Sequence, residues 1–334
     1  MQLSKSQKLA VEYTEGPQII LAGAGSGKTR VIVAKAQYLI EQKKLSPESL
    51  LIITYSNKTQ AELEERMAEL GDVQPEIRTF HSFGMDVITE FGGSLKLPGE
   101  IAKAGAYRLR DYLKSAIAQL KNSVLLDTNY PDKVYSDIEK FISRAKDELL
   151  APDTIIKKAE KALAELSENS DDDHIIRQRD NWIKVLEAAK IYKLYEQIKL
   201  SRMSLRGGGI DYGDMIVLCH KLLRDDKVVG AKLRDKYKYV LVDEFQDTNF
   251  AQVEMLYHLW GGKIGITVVG DDDQAIYRFR GASFGSFKLF DKLFTGSKVF
   301  RLEENYRSSA NIVKGAQCLL ETLLILDNMP RENA

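Results

Sequence analysis

The sequence predicts an α/β protein built on a parallel sheet, with an all-helical segment inserted into it. Short apolar strands alternate with helices near both ends of the 334-residue chain, and strands separated by helices pair in parallel. These strands are nearly continuous apolar runs, which is typical of a sheet that is covered on both faces. The middle of the chain has helical periodicity and almost no strand signal.

Five strands are predicted along the chain. They lie in the segments QIILAG, LLIITYS, EIRTFHSFGMDVI, YKYVLVDEF and IGITVVGDDD. A glycine-rich turn and a helix follow the first strand. The helix NKTQAELEERM follows the second, and its Leu63 and Met67 are predicted to share one buried face.

A helical subdomain is predicted over residues 96–206. This segment is rich in Lys, Glu, Ala and Leu, and clusters of glycine precede and follow it. On this division, residues 1–95 and 207–300 are the two parts of a single α/β domain.

The balance of charge limits the partners of the chain. Its 48 basic and 48 acidic residues cancel, so no net field draws it to a polyanion or to a membrane surface. Any nucleic-acid site must therefore be a local patch. No apolar run approaches the roughly 20 residues that a membrane-spanning helix needs, so no membrane partner is expected.

Cysteine and histidine usage argues against disulfides and zinc. Cys219 and Cys318 lie in apolar, helix-like stretches, which favours buried thiols and a reducing, cytoplasmic location. The four histidines and two cysteines lack the spacing of zinc ligands. His220 and His258 are accordingly interpreted as ordinary helix residues.

The segment AGAGSGKT is predicted to bind nucleotide phosphates, because it follows a strand and opens a helix. Small residues let successive backbone N–H groups turn toward one anion, and the helix N-terminus adds partial positive charge. The predicted loop residues are Ala22, Gly23, Ala24, Gly25, Ser26 and Gly27. Lys28 would neutralise the β- and γ-phosphates, and Thr29 would ligate Mg²⁺. Ala22 stands where the strict pattern has glycine, and a glycine-rich turn without a ligand is the alternative.

Two carboxylates end the strand YVLVDEF, at the sheet edge where the phosphate loop is also expected. Asp243 is predicted to hold Mg²⁺ through water, and Glu244 to orient and deprotonate the water that attacks the γ-phosphate. A solvated turn or a helix cap is the alternative for this pair taken alone.

With these motifs the chain resembles the UvrD/Rep/PcrA-type superfamily 1 DNA helicases. Seven segments carry the resemblance in order, namely LSKSQKLAV, AGAGSGKTR, ITYSNKTQAELEERM, TFHSF, LVDEFQDTN, VVGDDDQAIYRFRGA and LEENYRSS. It implies a RecA-like P-loop NTPase domain that uses ATP and Mg²⁺. It further implies 3′-to-5′ movement along single-stranded DNA and the unwinding of forked DNA.

The resemblance also assigns roles around the nucleotide. Gln7 would recognise the adenine edge, since its amide is both a donor and an acceptor. Arg30 and Tyr306 would sandwich the base, and Arg307 and Gln274 would contact the γ-phosphate. Without the motifs, Gln7 could be a surface glutamine on an amphipathic helix, and YRSS could be a helix cap.

The resemblance implies contacts with DNA in the loop that also carries Gln274, at its other end. Tyr277, Phe279 and Arg280 match residues that stack on or hold single-stranded DNA, although the family often has tryptophan where this chain has Phe279. About 17 Å of extended chain at most separates Gln274 from Phe279, so one loop would couple phosphate cleavage to the grip on DNA. The alternative is that Tyr277 and Phe279 are aromatic residues of the core.

Three more residues match segments that line the DNA track, namely Tyr55, Asn57 and His81. His81 could equally be a hydrogen-bonding residue at a strand end. The run Asp271 to Asp273 is interpreted as a turn, because Thr29 and Asp243 already supply the Mg²⁺ site.

The family has a second RecA-like domain, and this chain ends 27 residues after Arg307. We expect residues 301–334 to begin that second domain, and the chain to bind nucleotide, hydrolyse it slowly and not unwind DNA alone. Two alternatives stay open: the helicase subunit of a helicase–nuclease, and a nucleotide-gated DNA-binding module. The pathway (repair, replication restart or recombination) and the oligomeric state stay open too.

Overall fold

The fold is taken from a computed structural model, which describes residues 2–69, 71, 74–99, 101–120, 123, 125, 131–166, 172–205, 208–271, 285–315 and 318. Within these residues six strands form one sheet. Their bounds are β1 Gln18–Ala22, β2 Leu50–Thr54, β3 Glu76–Thr79, β4 Tyr239–Val242, β5 Gly265–Gly270 and β6 Lys298–Leu302. The order across the sheet is β3-β2-β4-β5-β1-β6, and every pairing is parallel. All six carboxyl ends therefore lie at one edge.

Helices connect the strands. Their bounds are α1 Lys5–Glu12, α2 Lys28–Glu41, α3 Asn57–Ala68, α4 Phe80–Phe91, α5 Ala106–Ala118, α6 Pro131–Asp147, α7 Pro152–Glu165, α8 Asp173–Ser201, α9 Tyr212–Asp225, α10 Lys227–Lys236, α11 Phe250–Trp260 and α12 Ser286–Leu293. No helix among the described residues is both long enough and apolar enough to cross a membrane.

Both faces of the sheet are buried, as the apolar runs predict. Along β2, Leu51 and Ile53 pack into a cluster with α4, α9 and α11, whereas Leu50 and Ile52 pack on the opposite side against α2. Alternate residues of one strand point to opposite faces. An uninterrupted apolar strand is thus the signature of a sheet that lies between two helical layers.

Two strand predictions need correction. In EIRTFHSFGMDVI only Glu76–Thr79 is a strand, because Thr79 caps α4 and accepts a hydrogen bond from the Ser82 backbone N–H at 3.1 Å. His81 therefore lies in the first turn of a helix. The sixth strand, β6, is not predicted, since it is an edge strand with mostly exposed side chains and lacks an apolar run.

The described residues between 96 and 206 contain helices α5 to α8 and a hydrophobic cluster of their own, with Tyr112, Ile142 and Tyr192 among its buried members. The boundaries of a separate subdomain stay a prediction. Cys219 is buried, as expected, but Cys318 is exposed, so the expectation of a buried thiol is wrong there.

Candidate nucleotide site and adjoining groove

The strand order sorts the predicted site residues into two neighbouring groups. Apart from Gln7 on α1, the predicted nucleotide residues lie at the carboxyl ends of β1, β4, β5 and β6 or in the segments that follow them, and these four strands are adjacent in the sheet. The segments that follow β2 and β3 carry Tyr55, Asn57 and His81. The carboxyl edge of the sheet thus carries the predicted nucleotide residues next to a second group of predicted residues, which line a groove.

The predicted phosphate loop is a tight turn between β1 and α2. Gly25 and Gly27 have φ angles of 80° and 87°, a left-handed conformation that glycine adopts without steric cost. The Ser26 backbone N–H and side-chain hydroxyl both donate to the Gly23 carbonyl, at 3.1 and 2.7 Å. Ala22 is the last residue of β1 and is buried, so the alanine here stands within the strand and leaves the turn unobstructed.

Lys28 opens α2 and faces two carboxylates. Its Nζ lies 3.5 Å from Glu244 Oε2 and 3.9 Å from Asp271 Oδ2, and its side chain is largely buried. A lysine held between acidic groups at the first turn of a helix is ready to bind an anion that enters there.

Asp243 and Glu244 stand at the end of β4. The Glu244 backbone N–H donates to Asp243 Oδ1 at 2.8 Å, and Glu244 has the left-handed φ angle of 49°. Burial and then the neighbouring Glu244 carboxylate raise the pKa of Asp243 to about 7, against the opposing effects of the hydrogen bond from the Glu244 N–H and of Lys28. A buried carboxylate is costly unless a cation pairs with it, so the position of Asp243 suits a metal ligand. Thr29, the other predicted Mg²⁺ ligand, follows Lys28 in the first turn of α2.

The sequence analysis missed two residues of this site, Gln246 and Asp271. Gln246 Nε2 donates to Glu244 Oε2 at 2.6 Å, and the Asp271 backbone N–H donates to Gln246 Oε1 at 3.0 Å. The buried carboxylate of Asp271 faces Lys28, and the turn predicted for Asp271 to Asp273 stays a prediction, because residues 272 and 273 lie outside the described part of the chain. The available signal was its position directly after β5, next to the strand that leads into the phosphate loop.

The segment that follows β6 lies against the phosphate loop. Asn305 Nδ2 donates to the Ala24 carbonyl at 2.7 Å, and the Tyr306 backbone N–H donates to the Gly25 carbonyl at 2.9 Å. A Cβ atom at Gly25 would lie 2.7 Å from the Cβ of Arg307. Arg307 is therefore beside the loop, with an exposed side chain.

Arg30 and Tyr306, which are predicted to sandwich the base, both line one cavity. Gln2, Leu3, Ser4, Lys5, Arg30, Glu304 and Tyr306 line a cavity of about 530 Å³. The Arg30 guanidinium lies 6.0 Å from the centre of the Tyr306 ring. Gln7 is buried outside this lining, where Nε2 donates to the Ser26 carbonyl and Oε1 accepts from the Ser4 backbone N–H. Its role in recognising adenine stays a prediction.

The second group forms a groove at the ends of β2 and β3. Tyr55, Asn57 and His81 line a cavity of about 230 Å³ together with Tyr212 and Gln252. The His81 and Tyr212 rings are 4.2 Å apart between centres. Burial and then Lys103 lower the pKa of His81 to about 4, so this imidazole is neutral near pH 7.

Tyr212 was not predicted, although it is half exposed and the Lys103 ammonium lies 4.3 Å from its ring centre. It begins α9, and the capping pair Asp211 and Asp214 in IDYGDM was the available sequence signal. The remaining predicted residues, Gln274, Tyr277, Phe279 and Arg280, lie outside the described part of the chain.

A buried cluster of charges supports the start of α9. Lys146 Nζ contacts Asp211 Oδ2 at 2.6 Å and Asp214 Oδ1 at 2.7 Å. Lys199 Nζ contacts the same two carboxylates at 2.9 and 2.6 Å, and both ammonium groups reach Glu196. These ion pairs connect α6 and α8 to the helix that carries Tyr212. No pattern in the sequence pairs these distant residues.

Comparison with known proteins relates the chain to one family. Residues 3–295 match the family described as the UvrD/REP helicase N-terminal domain. The chain is 34% identical over 326 residues to the ATP-dependent DNA helicase Rep of Escherichia coli (strain K12), which covers 96% of this chain and 43% of that protein. It is 32% identical over 322 residues to the ATP-dependent DNA helicase PcrA of Leuconostoc citreum, with 95% of this chain and 39% of that protein covered. It thus spans less than half the length of these relatives.

Proposed function

The chain belongs to the UvrD/REP helicase family, and from that premise we propose that it works as the N-terminal motor domain of an ATP-dependent DNA helicase. The proposed reaction is hydrolysis of ATP coupled to 3′-to-5′ movement along single-stranded DNA and to unwinding of forked DNA. The observation that carries the proposal is the meeting of Lys28, Glu244 and Asp271 beside the phosphate loop, with ion-pair distances of 3.5 and 3.9 Å.

The nucleotide site fits a triphosphate with a divalent cation. The backbone of residues 23–27 would receive the phosphates, and Lys28 would exchange its carboxylate neighbours for phosphate oxygens. Thr29 and Asp243 would hold Mg²⁺, and a bound cation would offset the cost of burying the Asp243 carboxylate. When bound, the ion would neutralise charge that develops on the phosphates.

Glu244 would orient and deprotonate the attacking water. The Gln246 amide, 2.6 Å from Glu244 Oε2, fixes the orientation of that carboxylate. Arg307 and Gln274 are proposed to contact the γ-phosphate, and Arg30 and Tyr306 to hold the base. Gln7 would recognise adenine after its amide exchanges its present protein partners.

The groove at β2 and β3 is proposed as part of the track for single-stranded DNA. Bases bind sequence-tolerantly by stacking on aromatic rings, at about 1–3 kcal/mol per base. Tyr55, His81 and Tyr212 provide such rings, and Asn57 adds a polar contact at the rim. We propose that Tyr277, Phe279 and Arg280 extend the track.

The domain division follows from this function. Residues 1–95 and 207–300 would form the motor domain, 96–206 its helical insertion, and 301–334 the start of a second domain. DNA as the partner supports a cytoplasmic location.

Nucleotide binding and single-turnover hydrolysis test the proposal, with binding followed by a fluorescent ATP analogue. Lys28→Ala should weaken binding strongly, because it removes the cation proposed to lie at the β- and γ-phosphates. Glu244→Gln should retain binding but lose hydrolysis by at least about 100-fold. Glu65→Gln, on the exposed face of α3, is the matched control and should behave as the unchanged chain. Equal hydrolysis by Glu244→Gln and the control would refute the assignment.

DNA binding is measured separately, by anisotropy of a labelled thymidine oligonucleotide. Tyr212→Ala should weaken it by about 1–3 kcal/mol, the usual contribution of one stacked base, and should leave nucleotide affinity unchanged. Unaltered DNA affinity in this variant would remove the groove from the proposed track.

A further inference from the structure

Three potential metal ligands meet on the helical layer that covers one face of the sheet. His220 is on α9, whereas Glu254 and His258 are one turn apart on α11. One ligand atom from each residue lies within 4.8 Å of the other two. The sequence separates His220 from His258 by 37 intervening residues, which is why no zinc spacing is visible there.

The two imidazoles are in a state that suits coordination. Their ring centres are 5.2 Å apart at an angle of 61°. Burial, reinforced by His258 and Arg224, lowers the pKa of His220 to about 4, and burial also lowers the pKa of His258. A neutral imidazole offers a nitrogen lone pair to a metal.

The ring nitrogens of His220 and His258 are available to a ligand. His258 Nε2 lies 3.7 Å from Glu254 Oε2, which is beyond hydrogen-bond distance. Among the residues that the structure describes, none forms a hydrogen bond with either imidazole. A cation that bound all three residues would give these ligand atoms a common partner.

We propose that His220, Glu254 and His258 bind a divalent transition metal ion of the zinc class. Two imidazole nitrogens and one carboxylate oxygen are a known three-ligand zinc set, which leaves a fourth position for water. Bonds of about 2.0–2.1 Å in a tetrahedron place ligand atoms about 3.4 Å apart. The His258–Glu254 pair is already close to that spacing, and small side-chain rotations would bring in His220.

The surroundings allow a positive ion. Arg224 is close enough to disfavour the cationic form of both histidines, but its guanidinium is paired with Asp225 at 2.7 Å. His258 also lies in the last turn of α11, where the partial negative charge of the helix C-terminus favours a cation. A bound ion would link α9 to α11. Helix α9 begins at the groove, and α11 begins shortly after Glu244.

Metal titration of the tag-free full chain tests the site, after dialysis against a chelator. Zn²⁺ binding is followed by calorimetry, and Co²⁺ binding by visible absorbance, which reports tetrahedral coordination. We expect one saturable site per chain and a rise in the unfolding temperature with Zn²⁺, since a ligand that binds the folded state stabilises it. His174→Asn, which removes an exposed histidine, should change neither result.

His258→Gln and, independently, Glu254→Gln should each weaken binding by at least about tenfold, a lower bound taken from the loss of outer-shell partners. The Glu254 variant keeps the test valid if the histidine variant does not fold. Asp243→Asn should retain the Zn²⁺ site, which separates it from the nucleotide site. Absence of 1:1 binding, equal binding in the ligand variants, or loss in Asp243→Asn alone would overturn the proposal.

Discussion

Replacement of Lys35 by methionine should change how the stability of the protein depends on pH. Lys35 is fully buried in α2, and its ammonium donates to the Tyr13, Ala10 and Val11 carbonyls at 2.6, 3.1 and 3.4 Å. These carbonyls lie at the end of α1, the helix that carries Gln7. Burial lowers the pKa of Lys35 from 10.5 to about 7.

The sign of the effect follows from proton counting. Between about pH 7 and pH 10.5 the unfolded chain holds a proton on Lys35 that the folded chain has released. The free energy of unfolding therefore rises with pH in this window, by up to about 1.4 kcal/mol per pH unit from this group. From pH 7.5 to pH 9.5 the gain is roughly 2 kcal/mol. Lys35→Met lacks this titration, and all other groups cancel in the difference between the two proteins.

Urea unfolding at pH 7.5, 8.5 and 9.5, followed by far-UV circular dichroism, measures the difference. The unfolding free energy of the unchanged chain minus that of Lys35→Met should grow by roughly 2 kcal/mol across the series. Lys190→Met, at an exposed position of α8, is the control and should follow the unchanged chain. Parallel curves for Lys35→Met and the unchanged chain would show that the Lys35 ammonium keeps its ordinary affinity for protons.

Three further substitutions probe the phosphate loop and the helices that support the groove. Lys146→Met should lower the free energy of unfolding in urea by about 3–5 kcal/mol, because the buried Asp211 loses a cation at 2.6 Å. Gly84→Ala would place a Cβ atom 2.6 Å from the Met215 carbonyl oxygen and separate α4 from α9. It should destabilise the chain by about 1–3 kcal/mol and weaken oligonucleotide binding in anisotropy while nucleotide binding is kept. Gly25→Ala forces alanine into a φ of 80°, at about 1–2 kcal/mol, and should lower the affinity for a fluorescent ATP analogue about tenfold.

Strands could be predicted from the sequence where both faces of the sheet are buried. A strand covered on both faces is apolar throughout, so β1, β2, β4 and β5 are visible as short apolar runs. The edge strand β6 is mostly exposed, and its sequence KVFRL carries no such signal. The α4 segment was misassigned because its buried residues, Phe80, Phe83 and Val87, begin directly after β3, with no glycine or proline to mark the change from strand to helix.

The site could be predicted where one local segment carries the chemistry. The phosphate loop and the pair Asp243 and Glu244 are each contiguous in sequence. Gln246 and Asp271 were missed because their contact depends on β4 and β5 being neighbours in the sheet. The ion pairs of Lys146 depend on how three helices pack, which local sequence does not encode.

The structure provides a physical connection between the candidate nucleotide site and the groove. Glu244 and Gln252 stand at the two ends of one nine-residue segment, with Glu244 beside Lys28 and Gln252 in the groove lining. Between them, Asn249 and Gln252 exchange side-chain and backbone hydrogen bonds at 3.1 and 3.0 Å. Asn249 Nδ2 also donates to Asp147 of α6 at 2.6 Å. Because the segment is held at each of these points, a displacement of Glu244 would have a short, hydrogen-bonded path to the groove and to α6.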